Sequence, residues 1–133
     1  DSDTKIVLIH DAVRPLVKSR EIEEVIERTD QKGAAILASP MKLTVKKVNS
    51  RLEIIKTVPR HDLWMAQTPQ GFKRDLIFKA YEKIKDTNAE LTDDAEVVEK
   101  AGHTVEIVPG SYDNIKITTP EDLKLAELLL VKC

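Results

Sequence analysis

Polar residues at the ends of predicted elements, and on one predicted hairpin, have the chemistry to hold a phosphorylated small molecule. They comprise two arginines, one lysine, one aspartate and three threonines: Asp11, Arg14, Thr44, Arg60, Thr68, Thr92 and Lys116. Arginine binds phosphate through two parallel hydrogen bonds, and lysine supplies a compact positive charge. Each residue alone is weak evidence, but the set favours a phosphorylated substrate.

Some of these residues also have ordinary structural interpretations, which the residues alone leave open. Asp11 follows an apolar run, where an aspartate often only forms a turn or caps a helix by accepting backbone N–H groups. Lys116 stands between Ile115 and Ile117, so it either faces solvent or points at an anion. Arg14 precedes a proline, which disfavours helical backbone and leaves its guanidinium free to reach a ligand.

Other combinations of reactive residues predict neither a catalytic dyad nor a metal site. His10 and Asp11 are adjacent, and neighbouring residues of a strand point to opposite faces, so their side chains cannot easily pair. The three histidines include no pair four residues apart, which argues against a zinc site. Asp93 and Asp94 have the charge to bind Mg²⁺, but helix capping explains the pair at lower cost. We therefore assign no metal ligands.

The composition is typical of a single soluble domain, residues 1–133, with one modest core. A net charge of −2 gives no general attraction for nucleic acid. The chain has no run of about eighteen apolar residues and opens with neither a signal nor a transit peptide, so we expect a cytoplasmic protein without membrane contact. Its only cysteine, Cys133, allows no disulfide framework or Cys-based metal site.

The elements that must position these residues begin with a short apolar strand within Lys5–Pro15. Four apolar residues, Ile6 to Ile9, are too few for a helix and are rich in β-branched side chains. A helix with Ser19 as its N-cap and Gly33 as its end follows, and then a second apolar strand at 34–39. This order predicts a parallel sheet in which the helix links two neighbouring strands, with ligands beyond the strand ends.

Residues 41–57 predict a β-hairpin that protrudes from the domain. Apolar residues recur there at two-residue spacing on either side of Asn49-Ser50-Arg51, which supplies turn chemistry. A lone two-stranded hairpin is marginal in water, so it needs its own domain or another subunit to pack on. The hairpin lysines need only protect exposed strand edges.

The remaining segments complete an α/β domain with a mostly parallel sheet. Residues 58–72 carry two prolines and show no clean period, which indicates an irregular functional loop. Helices are predicted at 73–85, from Thr92 or Asp93 to Gly102, and from Thr119 onward, with strands at 103–108 and 114–118.

Four strings of residues, in order along nearly the whole chain, resemble one enzyme family. They are HDAVRP at 10–15, TVPRHDLWMAQTPQGF at 57–72, LTDDAEVVEKAG at 91–102 and DNIKITTPEDLKLAE at 113–127. The chain is thereby identified as similar to the carboxyl-terminal portion of the 2-C-methyl-D-erythritol 4-phosphate cytidylyltransferases of the non-mevalonate isoprenoid pathway.

The resemblance implies a fold, a reaction and an assembly. It implies a Rossmann-like nucleotidyltransferase fold with three layers, and transfer of CMP from CTP to methylerythritol phosphate with release of pyrophosphate. Mg²⁺ would accompany CTP on its triphosphate. The partner would be a second copy, in a homodimer whose β-arms, residues 41–58, interlock.

The resemblance also implies roles for individual residues. Asp11, with Ala12 and Arg14, would hold the sugar phosphate, and two threonines would line the same pocket. Lys116 would lie near the reacting phosphates, and Arg60 would position the attacking phosphate. The resemblance thus implies two catalytic residues, Arg60 and Lys116, which are both cationic. It also implies three substrate-binding threonines, Thr44, Thr68 and Thr92. Thr44 and Arg60 would serve the partner subunit's site.

The resemblance stops short of the nucleotide-binding end of the family. The four glycines form neither a G-x-G-x-x-G nor a Walker turn, and the family's Gly-rich CTP loop has no counterpart here. We therefore expect this chain to be a fragment that binds CTP poorly and does not turn over by itself. Measured consumption of CTP by the 133-residue chain tests this expectation.

Two alternatives accompany this interpretation. Ribitol 5-phosphate cytidylyltransferases share the HD-A-x-R-P, Q-T-P-Q and N-I-K patterns, although Leu63-Trp64 and Asp113-Asn114 look more like the methylerythritol enzyme. The other is a non-catalytic α/β dimerisation module that kept the arm and lost the nucleotide loop.

Overall fold

The computed structural model of the chain describes residues 3–85 and 90–131. Within these residues the strands are β1 (Ile6–Ile9), β2 (Ala34–Pro40), β3 (Val45–Val48), β4 (Ile54–Val58), β5 (Trp64–Lys73) and β6 (Glu106–Pro109). The helices are α1 (Ser19–Lys32), α2 (Arg74–Ile84), α3 (Asp94–Lys100) and α4 (Pro120–Leu130). None of these helices is both long and apolar enough to cross a membrane. Cys133 lies outside the described residues.

The main sheet is mixed and has the strand order β1-β5-β2-β6. Strand β5 runs antiparallel to both of its neighbours, and β2 pairs with β6 in parallel. Three of the four strands therefore point the same way, but two of the three strand pairings are antiparallel. The prediction that β1 and β2 are neighbours is wrong, because β5 is inserted between them.

Helices cover both faces of this sheet, which confirms an α/β fold with three layers. The alternation of side chains along β2 divides the core in two. On one face Ala35 and Leu37 pack with Val25 of α1, and on the other Ala34 and Ile36 belong to the cluster that α2 and α3 complete. Strand β2 is buried along six of its seven residues, so it is the centre of the domain.

Strands β3 and β4 form a separate two-stranded sheet, which confirms the predicted hairpin. The Asn49 side chain closes its turn by accepting hydrogen bonds from the backbone N–H groups of Arg51 and Glu53. Large apolar side chains of the hairpin and its approach stay exposed: Leu43, Val48, Leu52, Ile54 and Ile55. The hairpin thus presents an apolar surface that residues 3–85 and 90–131 leave uncovered.

Strand β5 replaces most of the predicted irregular loop at 58–72. Its pairing with β2 slips between Ile36 and Ala38, whose partners are Gln70 and Ala66. Three residues of β5 therefore oppose Leu37 alone, which is a bulge. Bulges tolerate proline, since the ladder needs no N–H there, and they turn side chains out of the regular pleat. The bulge carries the Gln-Thr-Pro sequence that looked irregular.

The predicted last strand at 114–118 is wrong, because this segment lies beside a turn and not beside a strand. The backbone N–H of Ile117 donates to the carbonyl oxygen of Val13 at 2.8 Å, in the turn that follows β1. Since the turn does not continue as an extended strand, no ladder develops. This hydrogen bond helps to hold residues 114–117 at the carboxyl end of β1.

The helix starts follow from caps, with one correction. Asp93 caps α3 by accepting from the backbone N–H of Glu96, and Thr119 caps α4, as predicted. Ser19 is instead the first residue of α1, preceded by Lys18 at the N-cap position. The buried carboxylate of Glu21 accepts from the Lys18 N–H, so a serine cap is not required.

Gly71 allows α1 to lie close against β5. A Cβ atom at this position would stand 2.4 Å from Thr29 Oγ1 and 2.9 Å from Val25 Cγ1, both on α1. We expect Gly71→Ala to lower the free energy of unfolding by about 1–3 kcal/mol, since overpacking forces the helix or strand to shift. Urea unfolding measures this. The exposed turn variant Ser50→Ala should change stability by less than ~0.5 kcal/mol, and an equally small change for Gly71→Ala would contradict the packing argument.

Candidate functional site

Five of the sequence-predicted site residues line one cavity of about 330 Å³ beyond the carboxyl end of β1. They are Asp11, Arg14, Thr68, Thr92 and Lys116. A larger cavity, of about 610 Å³, lies near the other end of β1 and has none of the predicted residues in its lining. Ligands of α/β sheets bind beyond the carboxyl ends of strands, so the smaller cavity is the candidate site.

Asp11 is the charged centre of this cavity. One of its carboxylate oxygens lies 3.2 Å from Nε of Arg14 and 3.3 Å from Nζ of Lys116. Burial alone would raise the pKa of Asp11, but the hydrogen bonds and positive charges of Lys116 and Arg14 outweigh burial and lower it. The carboxyl group is therefore ionised at neutral pH and acts only as an acceptor. The turn itself is closed by its backbone, where the Arg14 N–H donates to the Asp11 carbonyl.

Arg14 is not free, contrary to the expectation from sequence. Besides its contact with Asp11, its Nη1 donates to the carbonyl oxygen of Asn114 at 2.6 Å. Only 12% of its side chain is exposed. Arg14 thus ties the turn after β1 to the segment that carries Lys116, and its role in holding substrate remains a prediction.

Thr68 enters the cavity from the bulge of β5. Its hydroxyl oxygen accepts from the backbone N–H of Asp11 at 3.0 Å and contacts Nδ1 of His10 at 2.8 Å. Gln70, two residues along the strand, pairs with Ile9, the last residue of β1. Thr68 therefore extends just past the end of β1, next to the turn with which it bonds.

Two buried amides that sequence reasoning missed hold these segments together. Asn114, fully buried, donates from Nδ2 to the carbonyl oxygen of Thr68 at 2.9 Å. Gln67, also buried, donates to the carbonyl oxygen of Ser111 at 2.9 Å. Buried amides need partners, and here the partners join β5 to residues 111–114. An asparagine at the start of the NIKI string was the available signal.

Gln70 of β5 bonds to the start of α3 at the edge of the cavity. Its buried side chain donates to a carboxylate oxygen of Asp93 at 2.8 Å and accepts from the backbone N–H of Ala95 at 3.1 Å. The other carboxylate oxygen of Asp93 accepts a hydrogen bond from the backbone N–H of Glu96 and so caps the helix. Asp94 accepts from the Tyr81 hydroxyl at 2.5 Å, and this bond raises the pKa of Tyr81 to about 12. Asp93 thus caps α3 as predicted, whereas Asp94 bonds to Tyr81 and does not cap the helix.

Glu96 fixes the position of Thr92 at the cavity edge. Lys100 donates to Glu96, and so do the backbone N–H and the hydroxyl of Thr92. These bonds lower the pKa of Glu96 from 4.5 to about 2, with the Lys100 bond as the largest cause. A lowered pKa in the folded protein means that Glu96 contributes stability above about pH 4.5, and that this contribution is lost as the pH falls towards 2.

We expect Thr92→Val to raise the pKa of Glu96 measurably, because the hydroxyl donor is lost. Carbon-13 NMR of the side-chain carboxyl across a pH titration measures this pKa directly. Thr104→Val, which removes a hydroxyl that does not bond to Glu96, should leave the titration unchanged. An unchanged pKa in Thr92→Val would show that the threonine hydroxyl does not stabilise the charged carboxylate.

Three predicted residues do not line the cavity of their own chain. Arg60 lies in the connection between β4 and β5, where its guanidinium donates to the carbonyl oxygen of Lys42. Thr44 precedes β3, and both side chains are exposed. Ala12 is exposed in the turn after β1. The structure therefore separates an arm-based pair, Arg60 and Thr44, from the cavity residues.

The charged groups of the cavity suit a ligand with hydroxyl groups but supply too few free cations to bind a phosphate by themselves. Three carboxylates and two cations line it: Asp11, Asp93, Asp94, Arg14 and Lys116. Since Arg14 already has two partners, Lys116 is the cation with most freedom to meet an anion. No group of three or more His, Cys, Asp or Glu side chains among residues 3–85 and 90–131 is placed to hold a metal ion.

Comparisons with known proteins agree on one family. A family model for 2-C-methyl-D-erythritol 4-phosphate cytidylyltransferase matches residues 1–132. A curated enzyme of that name from Alkaliphilus oremlandii is 51% identical over 128 residues, which are 96% of this chain and 54% of the relative. The chain thus spans about half the length of this relative.

Solved structures show the same similarity. A 4-diphosphocytidyl-2C-methyl-D-erythritol synthase from Anaerococcus prevotii matches with a TM-score of 0.89 and 35% identity, covering 98% of this chain and 58% of that one. A 2-C-methyl-D-erythritol 4-phosphate cytidylyltransferase from Thermus thermophilus matches with a TM-score of 0.85 and 35% identity, covering 96% and 62%. The fold described above is therefore the fold of these proteins over the matched part.

Proposed function

Because this chain belongs to the 2-C-methyl-D-erythritol 4-phosphate cytidylyltransferase family, we propose that its cavity is the sugar-phosphate side of a cytidylyltransferase active site. The reaction transfers CMP from CTP to 2-C-methyl-D-erythritol 4-phosphate and releases pyrophosphate. The observation that carries this proposal is the meeting of Asp11, Thr68, Thr92 and Lys116 in one cavity. These residues come from four separate segments of the chain.

The cavity offers complementary groups to the two ends of a polyol phosphate. The ionised carboxylate of Asp11 accepts hydrogen bonds, which suits the hydroxyl groups of the polyol. The ammonium of Lys116, 3.3 Å from that carboxylate, suits the phosphate. A substrate bound in this way would place its phosphate on the Lys116 side of the cavity.

The chemistry needs charge stabilisation more than proton transfer. An oxygen of the sugar phosphate, already anionic, forms a bond to the α-phosphorus of CTP while the bond from that phosphorus to the pyrophosphate oxygen breaks. No base is required, so the main tasks are to bring two anions together and to offset the charge that develops. Lys116 is the residue we assign to that charge.

Arg60 and Thr44 would reach the site of a second copy. Both are exposed at the base of the hairpin and do not line their own cavity, and the hairpin carries uncovered apolar side chains. A homodimer that buries these side chains would bring Arg60 of one subunit towards the attacking phosphate in the other. Such an arrangement adds the cation that the cavity needs for a phosphate.

Two further features of the proposal concern the metal and the location. Mg²⁺ would arrive with CTP, coordinated by its triphosphate. A cytoplasmic location remains a prediction. The CTP-binding elements would belong to a part of the enzyme that this chain does not match, which explains why we expect weak CTP binding by these 133 residues alone.

A side-by-side assay with the full-length protein tests the proposal. Pyrophosphate release is measured with CTP and either methylerythritol phosphate or ribitol 5-phosphate. We expect turnover with the former at a kcat/KM at least about tenfold higher, which corresponds to ~1.4 kcal/mol of discrimination. Preference for ribitol 5-phosphate would assign the other sugar, and absence of turnover with intact dimers would favour a dimerisation module.

A further inference from the structure

His10 lies between two oxygen atoms of the cavity wall, one of a carbonyl group and one of a hydroxyl group. Its Nε2 lies 3.0 Å from the carbonyl oxygen of Arg14, and its Nδ1 lies 2.8 Å from Oγ1 of Thr68. A carbonyl oxygen only accepts, so Nε2 must carry the proton. In a neutral imidazole, Nδ1 then has a free lone pair and accepts a hydrogen bond from the Thr68 hydroxyl.

Two of the three hydrogen-bonding positions of the Thr68 hydroxyl are therefore occupied within the protein. A hydroxyl has one proton and two lone pairs. The proton goes to His10, and the backbone N–H of Asp11 donates to one lone pair at 3.0 Å. One lone pair remains, and Thr68 lines the cavity. Towards a ligand, Thr68 therefore accepts a hydrogen bond and has no proton to donate.

We infer that His10 is a positioning residue that holds the Thr68 hydroxyl as an acceptor towards the ligand. This setting selects a ligand hydroxyl, which has a proton to give, over a phosphate oxygen, which has none. The carboxylate of Asp11 imposes the same requirement on the adjacent part of the cavity. The hydroxyl end of the polyol phosphate accordingly lies against Thr68, and its phosphate lies elsewhere. The identity of this ligand rests on the function proposed above, but the hydrogen-bond pattern does not.

The pattern itself is tested by nitrogen-15 NMR of the His10 ring in the purified protein at pH 8, where an ordinary histidine is neutral. We expect the Nε2–H form, with an Nδ1 shift that reflects an accepted hydrogen bond. In Thr68→Val the Nδ1 signal should move towards that of an unbonded nitrogen, whereas Thr68→Ser should resemble the wild type. An Nδ1–H form, or an Nδ1 signal unaffected by Thr68→Val, would overturn the inference.

Two amide substitutions separate the two hydrogen bonds of the ring. Asparagine keeps an acceptor near the Nδ1 position, and glutamine keeps a donor near the Nε2 position. In full-length enzyme we expect His10→Gln to raise KM for the sugar phosphate about 3- to 10-fold, the value of one hydrogen bond, with a smaller change in kcat. His10→Asn should lie closer to the wild type.

Repeating His10→Gln in a Thr68→Val background decides whether His10 acts through Thr68. We expect no further rise in KM there, because the hydroxyl that His10 directs is gone. An equal rise in both backgrounds would mean that His10 acts independently of Thr68, and the inference would be wrong although the proposed function stood. Failure of the wild type to turn over would reject the function, and the NMR result would then decide the inference alone.

Discussion

Lys116→Ala is expected to lower kcat by about 10²- to 10³-fold, the effect of removing one charge-stabilising group from a transition state. Its effect on folding should be small, because 48% of the lysine side chain is exposed and ion pairs of exposed groups contribute only ~0–1 kcal/mol. Asp11 also keeps its contact with Arg14. Pyrophosphate release under saturating substrates measures kcat, and urea unfolding measures stability.

Lys32→Ala is the matched control for this variant. Lys32 has a similarly exposed side chain and a single carboxylate contact, with Glu106, and it does not line the cavity. We expect wild-type kcat for Lys32→Ala and partial activity for Lys116→Arg, which keeps the charge and changes its shape. Equal kcat values for Lys116→Ala and Lys32→Ala would remove Lys116 from the mechanism.

Arg60→Ala is expected to lower turnover by a similar factor, about 10²-fold or more, with dimerisation intact. Arg60 is exposed and outside its own cavity, so this loss would come from the site of the other subunit. Analytical ultracentrifugation checks the dimer. Arg51→Ala, at the exposed tip of the same hairpin with a contact to Glu53, is the matched control and should retain activity.

Mixing the two inactive variants tests whether Arg60 acts across the dimer. A heterodimer of Arg60→Ala and Lys116→Ala subunits contains one site with both cations and one site with neither. After subunit exchange, half of the dimers are mixed, so about one quarter of wild-type activity should return if the sites are independent and exchange is statistical. If the mixture stays inactive although exchange is demonstrated, Arg60 and Lys116 must act within the same subunit.

The residues that meet in the cavity could be foreseen where they follow a strong local signal. Asp11 follows the apolar run of residues 6–9 with only His10 between, and Thr92 precedes a capped helix, so both were expected at element ends. Ligands bind beyond the strand ends, because the side chains there are no longer buried in the core. The hairpin was equally predictable, since alternation of apolar residues and the Asn49 turn are local properties.

What sequence reasoning missed depends on distant partners. β5 pairs between β1 and β2, where Phe72 is fully buried and Gly71 lies close against α1, and no short window of sequence reveals these contacts. Arg14 appeared free because its second partner is the carbonyl oxygen of Asn114, 100 residues later. His10 was set aside as half of a dyad, whereas its partner is Thr68.

The bulged strand β5 also bears on how the chain folds. It joins residues 6–9 to residues 70–73 and residues 34–40 to residues 64–72, so each pairing first requires a long loop to close. Loop closure costs entropy before the contacts repay it, and such topologies fold slowly. The helices can form early from local contacts, but the wall of the cavity is complete only after both closures. Acquisition of sugar-phosphate binding during refolding would therefore lag behind acquisition of helical signal.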